Sequence, residues 1–262
     1  MKSGLVVLGA VFTLSALFHS SAHSADFCQN FGPQTPRDIS SKAGVNSSAF
    51  PLAVASTTMN LCNIHYHVNA EHKGPEFSTF AGKGENGGYK CNQTPNLTAA
   101  ELTNPVASNC KGLNPGDTIE VHWVYSSCNV NPGKGLEACS SPQCGNPTLR
   151  VESQVFLVAN NKSALSFSDF DFVGTPTQVV RQPKSLPANT GIPIVFRGST
   201  TGPSYSGEKC SPLQVTWSVR PVCAKIDINS VHKWCENNAF GEDHGHGVRQ
   251  LVTEPALLDN IP

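Results

Sequence analysis

The chain has 262 residues and a formal net charge of −1, with 18 Lys and Arg residues against 19 Asp and Glu residues. The basic residues are scattered, so the composition argues against binding to nucleic acid or to an acidic lipid surface by charge alone. The length suits one large domain or two small ones, and the lack of repeats and of a clear boundary favours one domain.

The first 25 residues have the layout of a secretory signal peptide. Lys2 is followed by an apolar run at 5–18 and then by small residues up to Ala25. The run is too short to cross a bilayer comfortably, and no later stretch is apolar enough to do so. We therefore expect a signal peptide over 1–25, a mature domain over 26–262 without a membrane span, and export to the periplasm or the medium.

Short apolar or alternating segments recur along the mature chain, and Gly, Pro, Asn and Ser separate them. This pattern predicts the strands of a mainly antiparallel sheet. The predicted strands lie at residues 61–68, 118–125, 149–159, 192–197 and 213–220.

Two long connections, 80–117 and 126–147, have the composition of loops, and one short helix is predicted near 228–240. Ten cysteines follow the signal segment, and several of them lie in these loops. An even number of cysteines in an exported chain predicts disulfide bonds, although the sequence does not give their pairing. The expected fold class is mainly β, a single domain with a large, mostly antiparallel central sheet, disulfide-stapled loops and few short helices.

The predicted strand 61–68, LCNIHYHV, carries two histidines two residues apart. Alternate side chains of a strand face the same way, so His65 and His67 project from one face as a pair of metal ligands. The same alternation predicts that Cys62 faces away from this pair and forms a disulfide bond.

The next predicted strand, TIEVHWVY at 118–125, places Glu120 and His122 on one face in the same manner. If the two strands are neighbours, His122 completes a site of three histidines that leaves an open position, as catalytic zinc requires. Glu120 would then accept the second ring N–H of a ligating histidine and fix the orientation of that ring.

Part of this pattern also resembles the cupins. His65, His67 and Glu71 fit the cupin spacing H-x-H-x3-E, and a Pro-Gly pair precedes His122. This resemblance implies that Glu71 is a fourth metal ligand and that the chemistry is an oxygenation or isomerisation. The glycine expected before the first histidine and the asparagine expected after the last are not at their places.

A larger part of the chain resembles the delta class of carbonic anhydrases. The order of its motifs is also similar to the alpha class: H-x-H, a later E-H, then E-x-H, and a Ser/Thr-Thr turn before a strand with Trp. The segments concerned are CNIHYHVNAEHKGPEFS, GDTIEVHWVY, GSTTGPSYS, VTWSV and EDHGHGVRQLVTEPALL, at residues 62–78, 116–125, 198–206, 215–219 and 242–258.

This resemblance implies the fold of the alpha carbonic anhydrases and the reversible hydration of CO2 to bicarbonate and a proton by attack of a zinc-bound hydroxide. His65, His67 and His122 match the three ligands of one Zn2+ ion per chain, although three histidines also accept cobalt or another divalent ion. Glu120 matches the carboxylate that orients the third ligand.

The resemblance also assigns the surroundings of the metal. Glu71 matches a buried glutamate paired with a threonine hydroxyl beside the metal. That threonine is Thr200 or Thr201, and we favour Thr200. Val124 and Trp217 match the wall of the apolar CO2 pocket.

Two histidines in the segment EDHGHGV, His244 and His246, are each followed by a glycine, which favours a turn over a second metal site. No residue clearly matches the proton-shuttling histidine of the alpha class. The hypotheses that stay open are an exported zinc lyase acting on CO2 and bicarbonate, a cupin-type metal enzyme, and a catalytically silent carbonic-anhydrase-like binding protein. The oligomeric state is not predicted.

Overall fold

The structure is a computed structural model, and it describes residues 28, 30–48, 50–172, 174, 179–206 and 208–261. The predicted signal peptide lies outside the described residues. Among the helices of the described part, none combines the length and the apolar character needed to cross a membrane.

Strands dominate the fold. In chain order they are β1 (Asn60–Val68), β2 (Thr79–Gly82), β3 (Gly88–Lys90), β4 (Thr118–Ser126), β5 (Leu149–Ala159), β6 (Ile194–Ser199), β7 (Gln214–Val219) and β8 (Ala224–Asp227). One α-helix, α1 (Ile228–Glu236), follows β8 directly. Single turns of 3-10 helix lie at Ser56–Thr58, Thr94–Asn96, Leu136–Cys139, Phe167–Asp169 and Pro255–Leu257.

Six of the strands form one large sheet in the order β1-β4-β5-β7-β6, and β8 pairs with the far end of β5. The mainly β fold class is confirmed, and the five predicted strands correspond to β1, β4, β5, β6 and β7. The sheet is mixed, because β5 pairs in parallel with both β7 and β8 while the other pairs are antiparallel. Two features were not predicted from the sequence: β8, and the separate β2–β3 hairpin, which lies within or beside the predicted loop 80–117.

The two faces of the sheet pack against different cores, because successive side chains of a strand point to opposite faces. On one face, Val121 and Trp123 of β4 pack in a core with Trp234 of α1. On the other face, Val124 packs in a core with Trp217 of β7. This second face is also the face of the predicted metal ligands.

A β-bulge between Leu61 and Asn63 interrupts the alternation at the start of β1. Leu61 therefore packs in the same core as Ile64, whereas Cys62 packs in the core that contains Val124. The prediction that Cys62 faces away from the histidines is wrong, because a bulge adds one residue to one strand and shifts its parity.

All ten cysteines are paired: Cys28–Cys210, Cys62–Cys139, Cys91–Cys223, Cys110–Cys235 and Cys128–Cys144. Four of these bonds have at least one cysteine in the two long connections, so the expectation of stapled loops is confirmed. Five disulfide bonds are typical of extracellular or secreted proteins, because the cytosol keeps thiols reduced.

Helix α1 begins after Asp227, whose carboxylate accepts a hydrogen bond from the amide of Asn229. Its buried side chains, which include Val231 and Trp234, lie on the face that packs against the sheet. The helix is shorter than the predicted span 228–240, because the backbone turns extended at Asn237.

Candidate metal centre

Three histidines from two neighbouring strands converge on one point. β1 and β4 pair antiparallel, with His65 opposite His122 and His67 opposite Glu120. His65, His67 and His122 each direct one ring nitrogen into a group whose ligand atoms all lie within 4.8 Å of one another. The structure thus brings together the three residues predicted as metal ligands.

The other ring nitrogen of each histidine faces an oxygen atom. Nδ1 of His65 lies 2.6 Å from Oδ1 of Asn63, and Nδ1 of His67 lies 2.7 Å from the carbonyl oxygen of Gly247. Nε2 of His122 lies 3.1 Å from Oε1 of Glu120. Because these oxygens accept hydrogen bonds, each of these nitrogens carries the proton and the opposite nitrogen keeps its lone pair.

The remaining nitrogens have the properties of metal ligands. Nε2 of His67 is buried and has no hydrogen-bond partner among the described residues. Nε2 of His65 and Nδ1 of His122 lie 3.3 Å apart. Neither nitrogen carries a proton, so no hydrogen bond joins them. Three converging lone pairs without donors fit a divalent cation, and three neutral imidazoles are a preferred ligand set for zinc.

Burial keeps these rings uncharged. It lowers the pKa of His67 to about 4, and it lowers the pKa values of His65 and His122 as well. The neighbouring rings act in the same direction, because each protonated imidazole would repel the next. All three histidines are therefore neutral at pH 7, which is the form that binds metals.

Glu120 is completely buried beneath the cluster and accepts five hydrogen bonds. Its Oε2 accepts from the backbone amides of Glu71 and His72, at 2.7 and 3.2 Å. Its Oε1 accepts from the rings of His72 and His122, at 2.6 and 3.1 Å, and from the hydroxyl of Ser153 at 2.6 Å. Burial raises the pKa of Glu120, but the two histidines outweigh burial and hold this pKa well below its ordinary value.

A cavity of about 320 Å³ adjoins the three histidines, at the lower end of the size range of small-molecule pockets. The indole of Trp217 lies with its ring centroid 5.0 Å from that of His122. Thr200 and Thr201 also line the cavity. Its apolar wall includes Val124, Leu136, Leu149, Val151, Val215 and Trp217.

Comparison with known proteins places this arrangement in a family. The family model described as delta carbonic anhydrase matches residues 56–230, which is more than half of the chain. The chain belongs to the delta carbonic anhydrase family. The matched region contains β1 and β4 with all three histidines. A search of the curated proteins found no match.

Glu71 does not occupy the position that a cupin-type site requires. Its Oε1 lies 3.6 Å from Nδ1 of His67, which is the ring nitrogen on the side away from the cluster. The carboxylate is completely buried, and burial raises its pKa. Among the described residues, Glu71 is not part of a group able to hold a metal, so the geometry gives no support to a fourth carboxylate ligand.

Glu71 makes no hydrogen bond to a threonine among the described residues, although the family resemblance implied one. Oε1 of Glu71 accepts from the backbone amide of Arg249 at 2.9 Å, and Oε2 has no partner there. The hydroxyl of Thr200 lies 2.6 Å from that of Ser211 instead. The roles of Glu71, Thr200 and Thr201 remain predictions.

The position of the glycine-containing segment 243–248 was not predicted from the sequence. Its backbone runs beside β1, because His246 exchanges hydrogen bonds with Tyr66 and Val68 in a parallel bridge. This pairing brings the ring of His246 within 5.4 Å of His65, centroid to centroid. A hydrogen bond to Glu242 at 2.7 Å raises the pKa of His246. The H-x-H pattern could have indicated that these histidines lie near the metal centre, but the glycines favoured a turn.

Proposed function

We propose that the protein is a zinc-dependent lyase that catalyses the reversible hydration of CO2 to bicarbonate and a proton. The observation that carries the proposal is the convergence of three neutral imidazoles, with lone pairs facing inward, beside a small cavity with an apolar wall. Three histidines and one open position is the zinc coordination of carbonic anhydrases themselves. The family match supports the same reaction.

The ligand set is organised before any metal binds. A bound zinc ion would act as a Lewis acid that makes water acidic near neutral pH. His65, His67 and His122 would hold that ion without adding negative charge. Glu120 fixes the proton of His122 on Nε2, so that Nδ1 stays free to bind.

The cavity wall selects for CO2. CO2 is apolar, so the buried side chains of Val124 and Trp217 receive it without the loss of hydrogen bonds that water would suffer there. Bicarbonate is charged and gains nothing from this wall, so it leaves readily. Thr200 and Thr201 supply hydroxyl groups in the same cavity, and we propose that they contact the reacting oxygens.

Export is a further part of the proposal. We propose that residues 1–25 direct the chain out of the cytosol and are removed, because their layout is that of a signal peptide. The five disulfide bonds support an oxidising compartment, either the periplasm or the medium.

The test compares His65→Ala with His232→Asn. His232 is a buried histidine of α1 that lies outside the cluster and accepts a hydrogen bond from the amide of Cys110. Asparagine keeps an acceptor at that place, so His232→Asn controls for the loss of a buried imidazole. We expect His65→Ala to lose bound zinc and CO2 hydration together, and His232→Asn to keep both.

Each alternative function predicts a different result when metal binding and activity are measured. Zinc binding without faster CO2 hydration would favour a catalytically silent binding protein. Activity on an organic substrate with iron or manganese, and none on CO2 with zinc, would favour the cupin-type enzyme. Wild-type activity in His65→Ala would show that the cluster is not the active site.

A further inference from the structure

The hydroxyl of Thr200 has one hydrogen-bond partner among the described residues. Its Oγ1 lies 2.6 Å from Oγ of Ser211, and either atom can be the donor by distance alone. Thr200 lines the cavity beside the histidines, whereas Ser211 is completely buried behind it. The direction of this bond decides whether Thr200 offers the cavity a proton or a lone pair.

Hydrogen-bond counting determines that direction. A serine hydroxyl has one proton to donate and two lone pairs. Oγ of Ser211 already accepts from the amide of Leu213 at 3.3 Å, and Thr200 is its only other partner among the described residues. If Thr200 donated, the Ser211 proton would be buried without an acceptor, which is strongly unfavourable. If Ser211 donates, the Thr200 proton faces the cavity, where a ligand or water accepts it.

Ser211 is held rigidly in place. Gln34, also completely buried, binds its backbone at two points, because Oε1 accepts from the Ser211 amide at 2.9 Å and Nε2 donates to its carbonyl at 3.0 Å. The guanidinium of Arg249 donates to the same Oε1 at 3.2 Å. Cys210, the residue before Ser211, forms a disulfide bond with Cys28, which precedes Gln34 in the chain.

These contacts join the cavity to Glu71 by an indirect route. The backbone amide of Arg249 donates to Glu71, and the side chain of Arg249 reaches Gln34, which holds Ser211. Gln34 and Arg249 both lie outside the region 56–230 that the family model matches. Parts of the chain beyond that region thus help to hold Ser211 in place.

We propose that Ser211 is a positioning residue that donates its proton to Thr200, so that the Thr200 hydroxyl donates into the cavity to an oxygen of bicarbonate. This inference rests on the proposed function for the identity of the ligand. It assigns Thr200 as a donor toward that oxygen, whereas pairing with Glu71 would make Thr200 an acceptor.

Neutron diffraction tests the bond direction without any metal or variant. In metal-free crystals exchanged into D2O, we expect a deuteron bonded to Oγ of Ser211 and pointing at Thr200. The Thr200 deuteron should point into the cavity. A deuteron bonded to Thr200 and pointing at Ser211 would overturn the proposal.

Anion titrations test the consequence in solution. In protein loaded with cobalt, whose visible spectrum reports ligand exchange, Thr200→Val should weaken bicarbonate binding about tenfold, the loss of one hydrogen bond to an anionic oxygen. Ser211→Ala should weaken it less, and it should add no further loss to Thr200→Val. Ser218→Ala, a buried serine of β7 that does not line the cavity, serves as the matched control.

The sign of the Ser211→Ala effect separates the two bond directions. If Thr200 donated to Ser211, removing the serine hydroxyl would release the Thr200 proton and tighten bicarbonate binding, which would refute the proposal. Failure to bind metal or to hydrate CO2 would end the proposed function instead. The deuteron positions would then still decide how Ser211 orients Thr200.

Discussion

Replacing Glu120 with glutamine tests how the buried carboxylate prepares His122 for metal. Glutamine has the same shape, but one oxygen becomes an amide nitrogen with two protons. The two backbone amides at Oε2 need an acceptor there, so the glutamine oxygen takes that place. The amide nitrogen then faces the rings of His72 and His122, to which it donates one proton each, and the hydroxyl of Ser153, which loses its acceptor.

This exchange moves the proton of His122 to the wrong nitrogen. Once Nε2 of His122 accepts a hydrogen bond, Nδ1 must carry the proton, and it points at Nε2 of His65, 3.3 Å away. A protonated Nδ1 cannot bind a cation. We expect Glu120→Gln to weaken zinc binding by about 10- to 100-fold, which is about 1.4–2.7 kcal/mol.

Glu120→Gln should lower the free energy of unfolding by less than the loss of a buried ion pair would. The glutamine keeps hydrogen bonds to the two amides and the two rings, but it loses the bond from Ser153 and the charge that strengthens the others, a difference of about 1–3 kcal/mol in total. Zinc affinity is measured by competition with a chromophoric chelator, and stability by urea unfolding in EDTA.

Glu152→Gln is the matched control. Glu152 is a buried carboxylate of the adjacent strand β5, and its partners are Arg150 and Arg220 rather than histidines. This variant should lose stability and keep its zinc affinity. Unchanged zinc affinity in Glu120→Gln would refute the tautomer argument.

Two further predictions concern stability. Because burial lowers the pKa of His67 from 6.5 to about 4, the folded metal-free protein binds fewer protons than the unfolded chain between these values, so stability falls as pH drops through this window, by up to about 3 kcal/mol. Urea unfolding in EDTA across this range measures the effect, and equal stability at both ends would contradict it. Gly245→Ala should destabilise the protein by about 1–3 kcal/mol, because the new Cβ would lie 2.5 Å from Val68 and 2.8 Å from Tyr66. Gly145→Ala, where nothing lies within 4 Å, should cost much less, and thermal unfolding of both variants measures the difference.

Local periodicity made much of the site predictable. His65 and His67 lie two residues apart in a strand, and so do Glu120 and His122, so each pair faces one way. Glu120 was expected to accept from a ligating histidine, and the structure places it against Nε2 of His122, the ring that the family resemblance implied. The shared faces need only the geometry of one strand at a time, whereas the choice of His122 came from the resemblance.

Parity failed where the strand was irregular. The bulge beside Asn63 places Cys62 on the face of the metal ligands, and no pattern in the sequence predicted this bulge. The same bulge region places Asn63 where its side chain orients His65. The short strand β8 escaped prediction because its partner is the distant end of β5.

The partner of Thr200 illustrates a different limit. The sequence offers many hydroxyl and carboxylate groups to a threonine, and the family resemblance favoured Glu71. The described structure gives the contact to Ser211, eleven residues further along the chain, because Gln34 holds that serine in place. Such a choice depends on distances between segments that no periodicity encodes.

Where the strands are regular, the sequence by itself determined which side chains share a face, because alternation is a property of each strand's own backbone. Only the tertiary structure decided that β1 lies beside β4 in the register that opposes His65 to His122, and that residues 243–248 lie beside β1. It also decided which cysteines pair and which groups hold each imidazole. These outcomes depend on the packing of segments far apart in the chain, where the free energy belongs to the whole fold.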